Sequence, residues 1–190
     1  MLNLKFSTFP QLTTQRLILR QLRPTDAPQI HELRANPEVN RYIDRPASTG
    51  VADALAFIQK IITLTQNGHS FYWAITLKSE DLLIGTLCFW NIDEANQSIE
   101  LGYELLPDYQ GKGIITEAIT EVLQFGFTQV GAKAIMAFPS ANNARSVAVL
   151  QKLGFELSDG SYDNSHDGVD NMLTYILTLE KAGLKNPTKT

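Results

Sequence analysis

The sequence predicts a mixed α/β fold, with one central sheet and helices on both faces. Three observations support this: short runs alternate apolar and polar residues, longer runs repeat apolar residues at helical spacing, and the two kinds of run interleave along the chain. The order reads strand, two helices, three strands in a meander, helix, strand, helix, strand, with no internal repeat and no linker.

Thr14 to Leu22 sets Leu17 and Leu19 against Arg16 and Arg20 and is the first strand. Pro24-Thr25-Asp26 interrupts it, and Asp26 stands as N-cap of a helix carrying Ile30, Leu33 and Arg34 that Pro37 ends. Asn36 to Thr49 reads as loop or broken helix. Thr49 is the candidate cap of a second helix, which aligns Leu55, Ile58, Ile61, Ile62 and Thr65 on one face and stops at Asn67-Gly68. Phe71 to Leu77 and Leu82 to Trp90 are aromatic and β-branched runs joined by Lys78-Ser79-Glu80-Asp81, a hairpin signature. Along Ser98 to Leu105, Ile99, Leu101, Tyr103 and Leu105 point one way and Glu100, Gly102 and Glu104 the other. A glycine-rich turn after Gln110 opens a helix with Ile119, Val122, Leu123 and Phe127, which ends near Gly131. Ala134 to Phe138 is a short strand. Asn143 to Leu153 is a helix with Val147, Leu150 and Leu153 inward and Gly154 as its stop. Ser158 to Asp167 reads as a loop, Met172 to Leu179 as the last strand, and the segment from Gly183 to the end as a frayed tail.

A chain of 190 residues suits one domain, expected over 1–190 with a core at about 12–180. With 44% hydrophobic and 19% charged residues, its composition is that of a globular protein. The net charge of −4 argues against broad nucleic-acid binding and leaves room for a cationic amine substrate. Cys88 is the single cysteine, so neither an intramolecular disulfide nor a multi-cysteine metal site can form, and a reducing cytoplasm fits. On its strand Cys88 reads as core rather than nucleophile. His31, His69 and His166 have no carboxylate at metal spacing, so no metal is expected. The N-terminal residues lack a signal-peptide pattern, and no apolar run approaches the ~20 residues of a membrane helix.

Gly111 and Gly113 clear side chains from a turn whose following helix offers unpaired N–H groups at its positive end, a geometry suited to a pyrophosphate. Two glycines alone also fit an ordinary strand-to-helix turn, and their spacing matches neither the dinucleotide fingerprint nor the Walker loop. Tyr109-Gln110-Gly111-Lys112-Gly113 with Thr116-Glu117-Ala118 resembles motif A of the GNAT superfamily of acetyltransferases. Upstream, Ile99 to Leu105 resembles that family's splayed central strand. Asn143-Ala144-Arg145-Ser146 through Lys152-Leu153-Gly154-Phe155 resembles its later helix and Gly-Phe ending. Thr14-x-Arg16-Leu17-x-Leu19-Arg20 with Asp26-Ala27 resembles the subgroup that includes ribosomal-protein N-terminal acetyltransferases of the RimJ/RimL type.

The resemblance implies acetyl-CoA as cofactor, with coenzyme A as product. It assigns the pyrophosphate to Gln110, Gly111, Lys112, Gly113, Ile114 and Ile115, and pantetheine pairing to the strand near Leu105. Asn143 and Ser146 on the later helix become cofactor contacts, and Ser146 also a candidate donor to the leaving thiolate, although both also fit simple helix-start chemistry. The implied reaction is direct attack of a neutral amine on the thioester. Glu100 is the candidate base, through a water, and Glu104 the runner-up and an acceptor contact; either carboxylate alternatively faces solvent or pairs with a base. Tyr42, from the acceptor wall at 36–49, and Trp90 are further acceptor candidates. This chain departs from the family pattern at Ile115, where Gly or Ala is usual, and at Leu150, where many relatives place a tyrosine acid. The implied acceptor is a protein N-terminus, with a small amine or polyamine as the alternative. A non-catalytic acetyl-CoA sensor is a reading from another class, favoured by Leu150 and opposed by Glu100, Ser146 and Asn143. A homodimer belongs to the resemblance, and no sequence feature marks its interface.

Overall fold

The computed structural model describes residues 1–158 and 171–184. Its strands are β1 (Leu12–Thr13), β2 (Leu17–Gln21), β3 (Phe71–Leu77), β4 (Glu80–Asp93), β5 (Ser98–Leu105), β6 (Ala134–Ala137), β7 (Glu156–Leu157) and β8 (Tyr175–Thr178). They form one sheet in the order β1-β2-β3-β4-β5-β6-β8-β7. Only β5 and β6 pair in parallel, because a helix carries the chain from one to the other. That helix is α4 (Ile114–Phe125). The others are α1 (Ala27–Ala35), the short α2 (Pro37–Asn40), α3 (Val51–Gln66) and α5 (Ala144–Lys152). No described helix is long and apolar enough to cross a membrane.

Strand alternation sorts the core into two layers. Leu17, Leu19, Trp73, Ile75, Leu87, Phe89, Ile99, Leu101 and Leu105 pack with Ile114, Ala118, Ile119 and Val122 of α4 and Leu150 of α5. Ala74 and Leu83 on the other face pack with Ile30 and Leu33 of α1 and Ala54 and Ile58 of α3. The chain beyond α4 winds into one π-helical turn, Gly126–Val130, before Gly131 closes it at φ 80°. A side chain at Gly126 would meet the Phe89 ring at 2.9 Å, so the helix seats on the sheet only because this residue is glycine.

Several local expectations need correction. Asp26 holds the N-cap position of α1, as expected, but its side chain makes no cap bond: its carboxylate accepts from the Arg20 guanidinium at 2.8 and 2.9 Å and from the Arg23 N–H at 2.8 Å. A buried guanidinium outcompetes a helix end for that carboxylate. Thr49 likewise is not the acceptor that starts α3. Gly50 holds the cap position, and Thr49 donates its N–H (2.9 Å) and its hydroxyl to Asp53. Pro37 ends α1 and also starts α2, where the Asn36 side chain accepts from Glu38 and Val39. The hairpin turn contracts to Lys78-Ser79, since Leu77 pairs with Glu80, and β4 runs on to Asp93. The two-residue edge strands β1 and β7 carry too few residues to show a period, and β8 is shorter than the run Met172 to Leu179. The loop Ser158 to Asp167 lies outside the described residues beyond Ser158, and so does the tail beyond residue 184.

The feature that positions the site is a parting of strands. β5 pairs with β4 along its whole length, from Gly85↔Leu105 to Asp93↔Ser98. Its pairing with β6 covers only Ser98, Ile99 and Glu100. From Leu101 to Leu105, β5 therefore has no partner strand on that side among the described residues. The gap opens at Glu100, with the start of α5 across it.

Candidate active site

The glycine turn lies at the wide end of this gap. Gly111 and Gly113 adopt φ 72° and 73°, the left-handed region, where a side chain is strained. Nothing lies within 4 Å of a Cβ built on Gly111, so the turn is open. Gly113 is the N-cap of α4 and provides no side-chain cap; the first intrahelical bond is Glu117 N–H to Gly113 C=O at 3.1 Å. The N–H groups of Ile114, Ile115 and Thr116 thus face the turn unpaired by the helix, at its positive end, and fit a pyrophosphate. The Ile114 side chain is buried in the core, and Ile115 packs against that core, so both can serve a ligand through backbone alone. Lys112 is exposed, with its ammonium 5.9 Å from the Tyr109 ring.

Side chains hold the turn from behind. Arg16 donates from Nη1 to the Lys112 carbonyl at 3.0 Å and from Nε to Glu117 Oε2 at 2.6 Å, while Thr14 Oγ1 and the Arg16 N–H bind Glu117 Oε1 at 2.5 and 2.9 Å. The Thr14-x-Arg16 and Thr116-Glu117-Ala118 motifs are one structural unit. Partial burial raises the pKa of Glu117, but the hydrogen bonds from Thr14 and Arg16 outweigh it and hold the carboxyl below its ordinary range. Gln110 donates to the Leu105 carbonyl at 2.9 Å and accepts from Arg145 of α5 at 2.9 Å, tying the turn to β5 and to the far wall of the gap.

Asn143 caps α5 by accepting from the Ser146 N–H at 3.1 Å. Ser146 Oγ lies 2.6 Å from the hydroxyl of Tyr103, so the gap is spanned by a hydrogen bond from β5 to α5. Burial pushes the Tyr103 phenol up to about 12, with the Ser146 contact opposing, and it stays protonated over the neutral range. Glu100 is buried, and Asn91 Nδ2 donates to its Oε2 at 3.3 Å. Asn91 has φ 43° and sits in a bulge, where three steps along β4 (Trp90 to Asp93) oppose two along β5 (Glu100 to Ser98). Such a bulge re-aims a side chain out of the strand's alternation. Trp90, opposite Glu100, is 42% exposed and forms an open rim.

Glu104 is placed differently. Arg45 Nη2 reaches its Oε2 at 2.6 Å and Thr86 Oγ1 donates to its Oε1 at 3.1 Å. Arg45 Nε donates to Asn40 Oδ1 (2.9 Å), Asn40 Nδ2 to the Arg34 carbonyl (2.6 Å), and the Arg34 guanidinium lies 4.0 Å over Phe57. Phe57 meets Tyr72 edge-on at 5.8 Å, and the Tyr72 hydroxyl returns to Thr86 at 3.1 Å. The circuit closes. Burial, with the Glu104 charge second, pushes the Tyr72 phenol up, and burial followed by Glu104 and Glu100 does the same to the Cys88 thiol, which stays protonated. Cys88 is half-buried against Gly102 on the cleft face and not in the apolar core, where its strand position predicts it. Tyr42, on the same loop as Arg45, is exposed, with the Arg41 guanidinium 5.7 Å from its ring.

The structure thus brings Gln110, Gly111, Gly113, Leu105, Asn143, Ser146 and Glu100 around one gap and commits Glu104 to an ion pair. Sequence reasoning missed Tyr103, which the alternation assigns to the apolar face and whose hydroxyl carries no sequence signal. It also missed Arg45, a loop residue 59 positions from its partner.

Residues 16–156 match the model of a family described as "Acetyltransferase (GNAT) domain". The chain is 34% identical over 148 residues to "Uncharacterized N-acetyltransferase YoaA" of Bacillus subtilis (strain 168), covering 78% of this chain and 84% of that protein. It is 27% identical over 154 residues to "[Ribosomal protein uS5]-alanine N-acetyltransferase" of Escherichia coli (strain K12), covering 77% and 78%. The fold superposes on Mycobacterium smegmatis RimJ, solved with a coenzyme A disulfide, at a TM-score of 0.77 and 23% identity, covering 91% of this chain and 89% of that one.

Proposed function

The chain belongs to the GNAT acetyltransferase family, whose members use acetyl-CoA, and on that premise we propose that it acetylates the α-amine of a protein N-terminus within a ternary complex. The observation that carries the reading is the gap between β5 and β6, with Glu100 at its apex and Ser146 on its far wall. Acetyl-CoA supplies the thioester. The turn amides of α4 suit its pyrophosphate, and the unpartnered edge of β5 from Leu101 to Leu105 suits strand-like pairing with its pantetheine arm.

In the reaction a nitrogen–carbon bond forms, the carbon–sulfur bond breaks, and one proton moves from nitrogen to sulfur overall. Glu100 takes the nitrogen's proton, directly or through a water, and Asn91 orients the carboxylate. Ser146 Oγ donates to the sulfur as charge develops there. Tyr103 donates to Ser146 and frees the serine proton for that task. A phenol raised to about 12, and still more an aliphatic hydroxyl, is too weak an acid to end as the anion beside a thiol-range group of pKa ~8.5. Ser146 and Tyr103 therefore stabilise the thiolate by hydrogen bonding, and the sulfur's proton is the one Glu100 took from nitrogen, returned through solvent. An α-amine, pKa ~8, needs less help from the base than a lysine-like amine near ~10.4. The likeness to an enzyme named for a ribosomal-protein alanine supports this acceptor class.

The test is thiol release from acetyl-CoA in parallel with N-terminal peptides, polyamines and aminoglycosides. Peptides beginning with a small residue are expected to turn over fastest. Release with the small amines alone would refute the acceptor assignment. Failure of coenzyme A to raise the melting temperature would refute the cleft assignment as well.

A further inference from the structure

We infer that Arg45 makes the acceptor end of the cleft a one-cation site, excluding polyamines, by occupying the carboxylate that a second ammonium would need. The inference rests on the acetyl-transfer reading of the same cleft. Glu100 and Glu104 stand on one face of β5 with only Gly102 between them, four residues and therefore about 13 Å apart along the strand. The small Cys88 thiol, 2.9 Å from where a Gly102 Cβ would stand, lies between the two buried carboxylates. At that spacing they mark two cation positions for an extended dication passing over it: the reacting amine at Glu100, the distal ammonium at Glu104. Arg45 removes the second position. Its guanidinium lies 2.6 Å from Glu104 Oε2, Thr86 takes Oε1, and the Arg45 side chain is itself only 14% exposed.

The contact is built into the fold. Asn40 fixes Arg45 Nε and is held in turn by the Arg34 carbonyl, so the acceptor loop presents Arg45 in one orientation. Arg34 adds a second positive charge to the same region; burial, and then the Arg45 charge, lower its pKa. With Arg45 paired to Glu104 and the Arg34 charge nearby over Phe57, two positive charges against one negative leave this end of the cleft positive. A second ammonium is repelled there, whereas the carbonyl oxygens that follow the amine of a peptide N-terminus are acceptors that guanidinium N–H groups tolerate.

The test uses the full chain saturated with coenzyme A and titrated calorimetrically with spermidine, beside a tripeptide amide with a free N-terminal alanine. R45Q keeps an N–H donor for Glu104 without the charge, R45M removes both, and R45K keeps the charge. R45Q and R45M are expected to bind spermidine roughly tenfold more tightly than wild type and R45K no better, with R45Q/E104Q returning to the wild-type value. Unchanged spermidine affinity in R45Q overturns the inference, as does a gain that survives in R45Q/E104Q. Thiol release in the same samples separates this from the catalytic reading: a wild type that binds coenzyme A yet releases thiol with no amine removes that reading, while the spermidine affinities still decide the role of Arg45.

Discussion

At the glycine turn the groups offered to a ligand are backbone N–H donors, displayed because two glycines sit at φ near 70° and the helix leaves its first amides unpaired. At the acceptor end the groups are side chains, and seven residues from α1, α2, the loop after it, α3, β3, β4 and β5 close a circuit through Glu104 and Arg45. The first arrangement depends on backbone conformation and tolerates most changes of neighbouring side chain. The second depends on the identity of each member, because removing one partner of a buried ion pair strands the other. Such a molecule can keep one cofactor while a few loop substitutions alter its acceptor.

The largest effect that would sharpen this division is expected from Glu100→Gln. Loss of the base should lower kcat by about 10²–10⁴ and leave stabilisation by coenzyme A unchanged, as read by thiol release and thermal shift. A loss of coenzyme A binding instead would erase the boundary between the halves. Gly113→Ala should do the converse. Forcing an alanine into the left-handed region costs about 1–2 kcal/mol; the free turn relaxes to escape that strain and binding has to restore it, so coenzyme A affinity should fall by up to roughly 5–30-fold, with kcat at saturation retained. Lys112→Ala, which trims an exposed side chain beside that glycine, should change affinity less than about fivefold.

The same division explains what the sequence could reveal. Backbone-determined features leave local marks: the alternation of Ser98 to Leu105, the glycines at 111 and 113, and the Asn143 cap all lie within a few residues of what they shape. Side-chain circuits leave none. Arg45 reads as one charged loop residue until folding sets it against Glu104, and Asp26 reads as a helix cap until Arg20 arrives from the neighbouring strand to claim it. Tyr103 fits the apolar stripe by period, which cannot register where its hydroxyl ends. Leu150, where many relatives carry a tyrosine, is fully buried in the core, and a phenol reaches Ser146 from β5 instead.

Tyr103→Phe tests that last placement and should have a smaller effect than Glu100→Gln. One hydrogen bond to Ser146 is lost, worth about 0.5–1.5 kcal/mol, so kcat should fall roughly two- to tenfold with the KM for acetyl-CoA unchanged. A residue acting only through Ser146 has nothing further to lose once that serine is gone. Tyr103→Phe in a Ser146→Ala background should therefore cost nothing more, whereas a purely structural role would cost the same in both backgrounds.

The smallest expected effect lies where side chains support the backbone half. Thr14 and Arg16 hold the Glu117 carboxyl below its ordinary range, so the folded protein binds that proton more weakly than the unfolded chain does. Stability from this clamp is therefore complete above the ordinary glutamate pKa of ~4.3 and is lost as pH falls through the lower folded value. Arg16 is 45% exposed at its side chain, so solvent screens the pair and the contribution is small, no more than about 4 °C in Tm. Melting curves between about pH 3 and 6 should fall more steeply for wild type than for Glu117→Gln, which lacks the titrating group. Because Arg16 also holds the Lys112 carbonyl, coenzyme A affinity should weaken over the same acid range in wild type and be flatter in the variant. Parallel curves would mean that the turn keeps its shape without the clamp, and the backbone half would then be independent of side chains altogether.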